Sequence, residues 1–112
     1  MRINEVSQEL NINHFGNNNP KVLIVSGQHG NEKIPIKICQ ILTQLFSDYD
    51  VKGHVCIISN ANPIAIANNN REAKGIDLNR SYGNEKNALT KIADQIKVEA
   101  AKCQLVIDCH ST

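Results

Sequence analysis

His29 and Glu32 stand three residues apart in SGQHGNE (26–32), and His110 lies in DCHST (108–112) at the other end of the chain. Two imidazoles and one carboxylate form a donor set used by catalytic zinc, with the fourth tetrahedral position left to water. An ion held this way polarises a carbonyl oxygen and brings the pKa of a water towards ~7. No H-E-x-x-H helix is present to compete, and no cysteine ligand is needed. With a helix starting near Asn31, Glu32 falls in its first turn and His29 in the loop before it, so both can aim at one ion. Each residue alone has a plainer reading. His29 is then a loop histidine beside a helix start, Glu32 is there because the helix dipole favours it, and His110 is a strand-end histidine bonded to a neighbour. His14 and His54 have no acidic neighbour at ligand spacing and read as non-functional.

A second group lies between these residues. Arg71, Asn79 and Arg80 sit in one long polar stretch with Asp77. Two arginines beside an amide suit a substrate carboxylate or a developing oxyanion, because the guanidinium is a planar, bidentate donor. Their plain alternative is a solvated loop pinned by Asp77. Asp108, two residues before His110, reads either as an acceptor for an imidazole N–H or as a buried structural aspartate. Gly27 and Gly30 flank this region as turn residues or as points where the backbone comes close to a ligand.

The elements that must hold these groups are legible as apolar patterns. Residues 21–26 (KVLIVS), 53–59 (GHVCIIS) and 104–109 (QLVIDC) are short, β-branched, nearly continuous runs, as expected of strands covered on both faces in a parallel sheet. Ile3, Val6, Leu10 and Ile12 suggest a weaker strand, pairing with the first run through the GNNNP turn (16–20). Ile38, Ile41, Leu42, Leu45 and Phe46 recur at helical spacing from Ile34, with Pro35 tolerable in the first turn. Leu89, Ile92, Ala93, Ile96, Ala100 and Cys103 do the same, with Lys91, Asp94, Lys97 and Glu99 on the opposite face. Strands alternating with helices define an α/β chain of three layers, helix–sheet–helix, with a right-handed first crossover. Residues 60–84 read as one long functional loop. All the polar groups above follow a strand, so they collect at the carboxyl ends of the strands, where open α/β sheets bind ligands.

Composition narrows the partners. The 112 residues carry 12 Lys plus Arg against 11 Asp plus Glu, a formal charge of +1, which gives no electrostatic case for nucleic acid or an anionic membrane. Apolar residues make up 41 % of the chain, too many for a disordered chain. No apolar run reaches the length of a signal peptide or a membrane span. The four cysteines form no C-x-x-C pair, and three lie in apolar segments. Buried, reduced thiols and a cytoplasmic location are therefore expected. Neither G-x-G-x-x-G nor a G-K-[ST] loop is present, which excludes the common nucleotide-binding loops.

As an ordered set, GQHGNE (27–32), NPIA (62–65), Arg71 with GIDLNRSY (75–82), and DCHST (108–112) resemble the succinylglutamate desuccinylase/aspartoacylase family of the zinc carboxypeptidase superfamily. That resemblance implies a mixed sheet between helices and one Zn2+ per chain on His29, Glu32 and His110. It makes Arg71 the catalytic arginine that polarises the scissile carbonyl. Asn79 and Arg80 become the pair that holds the substrate carboxylate. The implied reaction is hydrolysis of the amide bond of an N-acyl amino acid or a related peptide-like small molecule.

The family's general base is a glutamate far downstream of the third metal ligand, and neither Glu85 nor Glu99 matches its position. Residues 1–112 are therefore expected to be the N-terminal portion of such a catalytic domain, incomplete at its C-terminal side and inactive alone. Two other readings stay open: a zinc carboxypeptidase or murein-peptide amidase of the same superfamily, and a non-catalytic metal-binding or interaction module. The open edge of residues 104–109 is expected to favour homo-oligomers by strand pairing.

Overall fold

A computed structural model describes residues 8–83 and 85–111. The chain runs β1 (Asn13–Gly16), β2 (Lys21–Ser26), α1 (Lys33–Ser47), β3 (His54–Ile58), α2 (Pro63–Ala67), a 3-10 turn (Leu78–Arg80), α3 (Thr90–Ala100) and β4 (Leu105–Cys109). The strands form one mixed sheet in the order β1-β3-β2-β4. β2 pairs in parallel with β3 and β4, as the β-branched runs predicted, and β1 pairs antiparallel with β3.

The pleat divides the core between two layers. Leu23 and Val25 of β2 and Cys56 and Ile58 of β3 face Leu78 and the α3 residues Ile92 and Ile96, all buried. Their chain neighbours point to the other side, where α1 lies across β2, β3 and β1. There Ile36 and Cys39 are buried, and Phe46 packs on Phe15 of β1 with ring centroids 5.9 Å apart.

Several expectations are corrected. The strand before β2 is Asn13–Gly16, and it joins β3 rather than β2. Leu10 and Ile12 precede it as partly buried residues packed on the core, and Ile3 and Val6 lie outside the described residues. The stretch 60–84 is not one open loop. Asn62 caps α2 by accepting from the Ala65 N–H, with Pro63 in the first turn, and Asp77 caps the 3-10 turn through the Asn79 N–H.

α1 starts at Lys33, so Glu32 is its N-cap residue rather than a first-turn residue, and its carboxylate makes no capping bond. The buried stripe of α1 is Pro35, Ile36 and Cys39, while Ile34, Ile38, Ile41 and Leu45 form an exposed apolar row. β4 is not covered on both faces: Leu105, Val106 and Ile107 are 53 %, 43 % and 42 % exposed. It ends the sheet beside β2, on the side away from β3 and β1. Glu99 is buried rather than solvated, because it lies next to Ile92 on the α3 wheel and meets Lys21 Nζ at 2.9 Å.

Candidate metal centre

β2 ends in a turn in which the Glu32 N–H donates to the His29 carbonyl, folding the two side chains towards each other. Gly27 takes φ +82°, and a Cβ on Gly30 would stand 2.1 Å from the Ala65 backbone carbon. The close approach that glycine permits at position 30 is thus to α2 rather than to a ligand. β4, parallel to β2, delivers His110 one residue beyond its own end.

The result is a convergence of His29, Glu32 and His110, with one ligand atom from each lying within 4.8 Å of the others. His29 Nδ1 is 2.6 Å from Glu32 Oε2, and His110 Nδ1 is 3.1 Å from Glu32 Oε1. The opposite nitrogens are held as well: His29 Nε2 by Asp77 Oδ1 at 2.9 Å and His110 Nε2 by Asp108 Oδ2 at 2.9 Å. Outer carboxylates of this kind fix the orientation and tautomer of metal-binding imidazoles.

The donor chemistry fits a divalent ion. An ionised carboxylate only accepts hydrogen bonds, so without an ion all four contacts need a proton on the nitrogen. A dication among the two Nδ1 atoms and Glu32 replaces two of those protons charge for charge. It leaves both Nε2–H bonds in place.

The local charges support one another. Burial alone would raise the Glu32 carboxyl, but the Ser111 N–H at 2.8 Å and the two imidazoles hold it below its ordinary value. Burial likewise acts to raise Asp77, and the His29 bond, the Asn79 N–H, and the charges of His29 and Arg71 override it, leaving that carboxyl low. For His110, burial favours the neutral ring, yet Asp108 and Glu32 together raise its pKa.

Asp77 also collects the arginines. Arg71 Nη2 is 3.5 Å and Arg80 Nε 3.9 Å from Asp77 Oδ2, and the two side chains are 53 % and 83 % exposed. Both guanidinium groups are therefore tethered at the centre and open to solvent. Asn79 gives its backbone N–H to Asp77 and lines a cleft of about 260 Å³ with Gln28, Tyr82, Lys97, Val106 and Asp108.

Sequence reasoning missed three supports. Asp77 bonds directly to His29 and not only to the arginines. Gln28 is buried, donates from Nε2 to Asp108 Oδ2 at 2.8 Å, and accepts the Tyr82 hydroxyl at 2.6 Å. Burial and the nearby Asp108 charge push the Tyr82 phenol up, so it remains a donor. The available signal was position: Gln28 adjoins His29, and Tyr82 closes the GIDLNRSY run.

A mixed sheet between helices gathers two histidines and a glutamate at the carboxyl ends of its parallel strands, the rim where open α/β sheets bind ligands. Residues 18–112 match the succinylglutamate desuccinylase/aspartoacylase catalytic domain, and the chain belongs to that family. No curated protein matches it. Among solved structures it is similar to an aspartoacylase family protein from Mesorhizobium loti, at 25 % identity and TM-score 0.78, over 95 % of this chain and 37 % of that one. A product-bound ectoine utilization protein from Ruegeria pomeroyi matches at 25 % identity and TM-score 0.79, over 89 % of this chain and 32 % of that one. A metallo-carboxypeptidase from Pseudomonas aeruginosa shares the fold at 17 % identity and TM-score 0.80, over 94 % of this chain and 32 % of that one. The chain thus spans about a third of the length of these structures.

Proposed function

We propose that residues 1–112 are the N-terminal, metal-binding portion of a zinc-dependent hydrolase that cleaves the amide bond of an N-acyl amino acid. The observation that carries this reading is the paired arrangement of imidazoles, each with Nδ1 on Glu32 and Nε2 on an outer carboxylate. Family membership and the similarity to an aspartoacylase family protein support the deacylase class.

His29, Glu32 and His110 would hold one Zn2+, which when bound supplies a Lewis acid for the scissile carbonyl and an acidified water. Arg71 places its guanidinium beside the developing oxyanion. Asn79 and Arg80 offer an amide and a planar cation to the substrate carboxylate. Asp77 keeps all three of these residues in register with His29. Glu32, Asp77 and Asp108 are each engaged by imidazole or N–H donors, so none is free to act as the general base. The chain alone should bind zinc without turnover.

The four thiols are free and no helix among the described residues is long and apolar enough to cross a membrane. A cytoplasmic setting, where thiols stay reduced, fits this best. Zinc stoichiometry tests the metal assignment: one ion per chain at the cluster is expected, and binding unchanged by His29→Ala overturns it. A panel of N-acyl amino acids and C-terminal peptide substrates, run on the full-length protein, tests the reaction. Cleavage of peptides alone would transfer the protein to the carboxypeptidase side of the fold.

A further inference from the structure

At the opposite rim of the parallel strands, where β2 and β3 begin, a second set of imidazole and thiol side chains converges. His14 on β1 sits directly across the antiparallel ladder from Cys56, and His54 lies two residues before Cys56 on the same face of β3. The three ligand atoms form a closed triangle. His14 Nδ1 is 3.0 Å from His54 Nε2, and Cys56 Sγ is 3.2 Å from the first and 3.4 Å from the second. Glu99 of α3 approaches Cys56 alone, with Oε1 3.6 Å from Sγ.

We propose that His14, His54 and Cys56 bind a second Zn2+-class ion that clasps β1 onto β3. Three mutually close nitrogen and sulfur donors on two paired strands are an arrangement that one shared cation satisfies. Zinc takes nitrogen at ~2.0–2.1 Å and thiolate at ~2.3 Å, so tetrahedral donors stand roughly 3.3–3.6 Å apart. The observed triangle needs to open by only a few tenths of an ångström. One thiolate with two imidazoles selects zinc over magnesium or calcium, which prefer oxygen donors.

The surrounding charge is compatible with an ion. Lys21 Nζ is 2.9 Å from Glu99 Oε1, and Lys102 Nζ is 3.8 Å from Oε2. Cys103 is the other titratable group facing this corner. Glu99 and Lys21 cancel, and the thiolate formed as the ion binds adds one negative charge before Lys102 is counted. Burial pushes the Cys56 thiol up to about 11, so ion binding must displace its proton. His14 is exposed, which leaves an entry path from solvent.

The test uses Co2+ on the unaltered chain, because only a thiolate ligand adds a sulfur-to-cobalt charge-transfer absorption in the near ultraviolet. The His29, Glu32 and His110 centre has no sulfur, so the two sites report separately. Saturating Co2+ should produce the band, carried by one of the two ions bound per chain, and Zn2+ should displace it. Cys56→Ser should abolish it and Cys39→Ser should leave it. His14→Asn, at an exposed position that tolerates change, should weaken the band-forming affinity by more than about 100-fold, beyond the loss from an outer partner. No band under excess Co2+, or a band that survives Cys56→Ser or is indifferent to His14→Asn, overturns the proposal.

Discussion

His29 Nε2 and Asp77 Oδ1 lie 48 residues apart in the chain and 2.9 Å apart in space. Through that contact the loop that carries Arg71, Asn79 and Arg80 is fastened to the first candidate ligand. Asp77 thus has two tasks: it orients an imidazole and anchors two guanidinium groups. Loss of its charge should be felt on both sides of the site.

Asp77→Asn keeps a side-chain oxygen to cap the 3-10 turn but removes the charge that holds the His29 Nε2–H. Zinc affinity, read by competition with a chelator, should fall by about 10–100-fold, the usual effect of losing an outer carboxylate. Thermal stability of the zinc-free chain should change much less. Unaltered affinity would show that His29 does not ligate through the nitrogen opposite Asp77.

The degree to which this site was legible follows from how local each signal is. β2, β3 and β4 are β-branched runs bounded by polar residues, and the rim location of His29, Asp77 and His110 follows from their order alone. β1 was displaced because NHFG contains a single large apolar residue, Phe15, while its polar His14 faces a partner 40 residues away. α2 was hidden because a five-residue helix has too few turns for periodicity, although Asn62 and Pro63 are a legible cap. Glu99 misled because its partner, Lys21, comes from a distant strand. The same blindness to long-range pairing made His14 and His54 look idle, since the ligand spacing is set by the ladder between β1 and β3 and not by the chain.

Tyr82 supports the His110 side of the centre through Gln28. Tyr82→Phe removes the hydroxyl that donates to Oε1 of Gln28, a residue that is 4 % exposed. An unsatisfied buried acceptor costs about 1–3 kcal/mol. Urea unfolding of the zinc-free chain should show a loss of that size. A neutral result would mean that water takes over the hydroxyl's bond.

Gly30→Ala tests the packing of the His29–Glu32 turn against α2. The added Cβ would meet the Ala65 carbonyl carbon at 2.1 Å and its oxygen at 2.2 Å, and backbone cannot swing aside as a side chain can. A loss of about 1–3 kcal/mol in stability is expected from such overpacking. Zinc affinity should fall with it, because His29 and Glu32 flank the displaced residue.

Glu99 gives the zinc-free chain a defined acid response. Burial acts to raise its carboxyl, but the Lys21 bond and charge, with Lys102 and Cys56, hold it below the ordinary 4.5. The unfolded chain therefore binds more protons than the folded one in this range. The stabilisation is complete above the unfolded value and is lost as pH falls through the lower folded one. Glu99→Gln should flatten the acid limb of a urea-midpoint profile. An acid limb as steep as the native one would assign that slope to Glu32 and Asp77 instead.

The edge of the sheet makes the last prediction. Among the described residues β4 has β2 on one side only, and Leu105, Val106 and Ile107 expose apolar surface on both of its faces. A strand with a free edge and apolar faces is a template for a second strand, and a second copy of this chain offers the same one. The sedimentation coefficient should rise with protein concentration. Ile107→Lys places a charge on the face shared with Leu105 and should suppress that rise while leaving the β2 ladder intact. A concentration-independent monomer for the native chain would exclude pairing through β4.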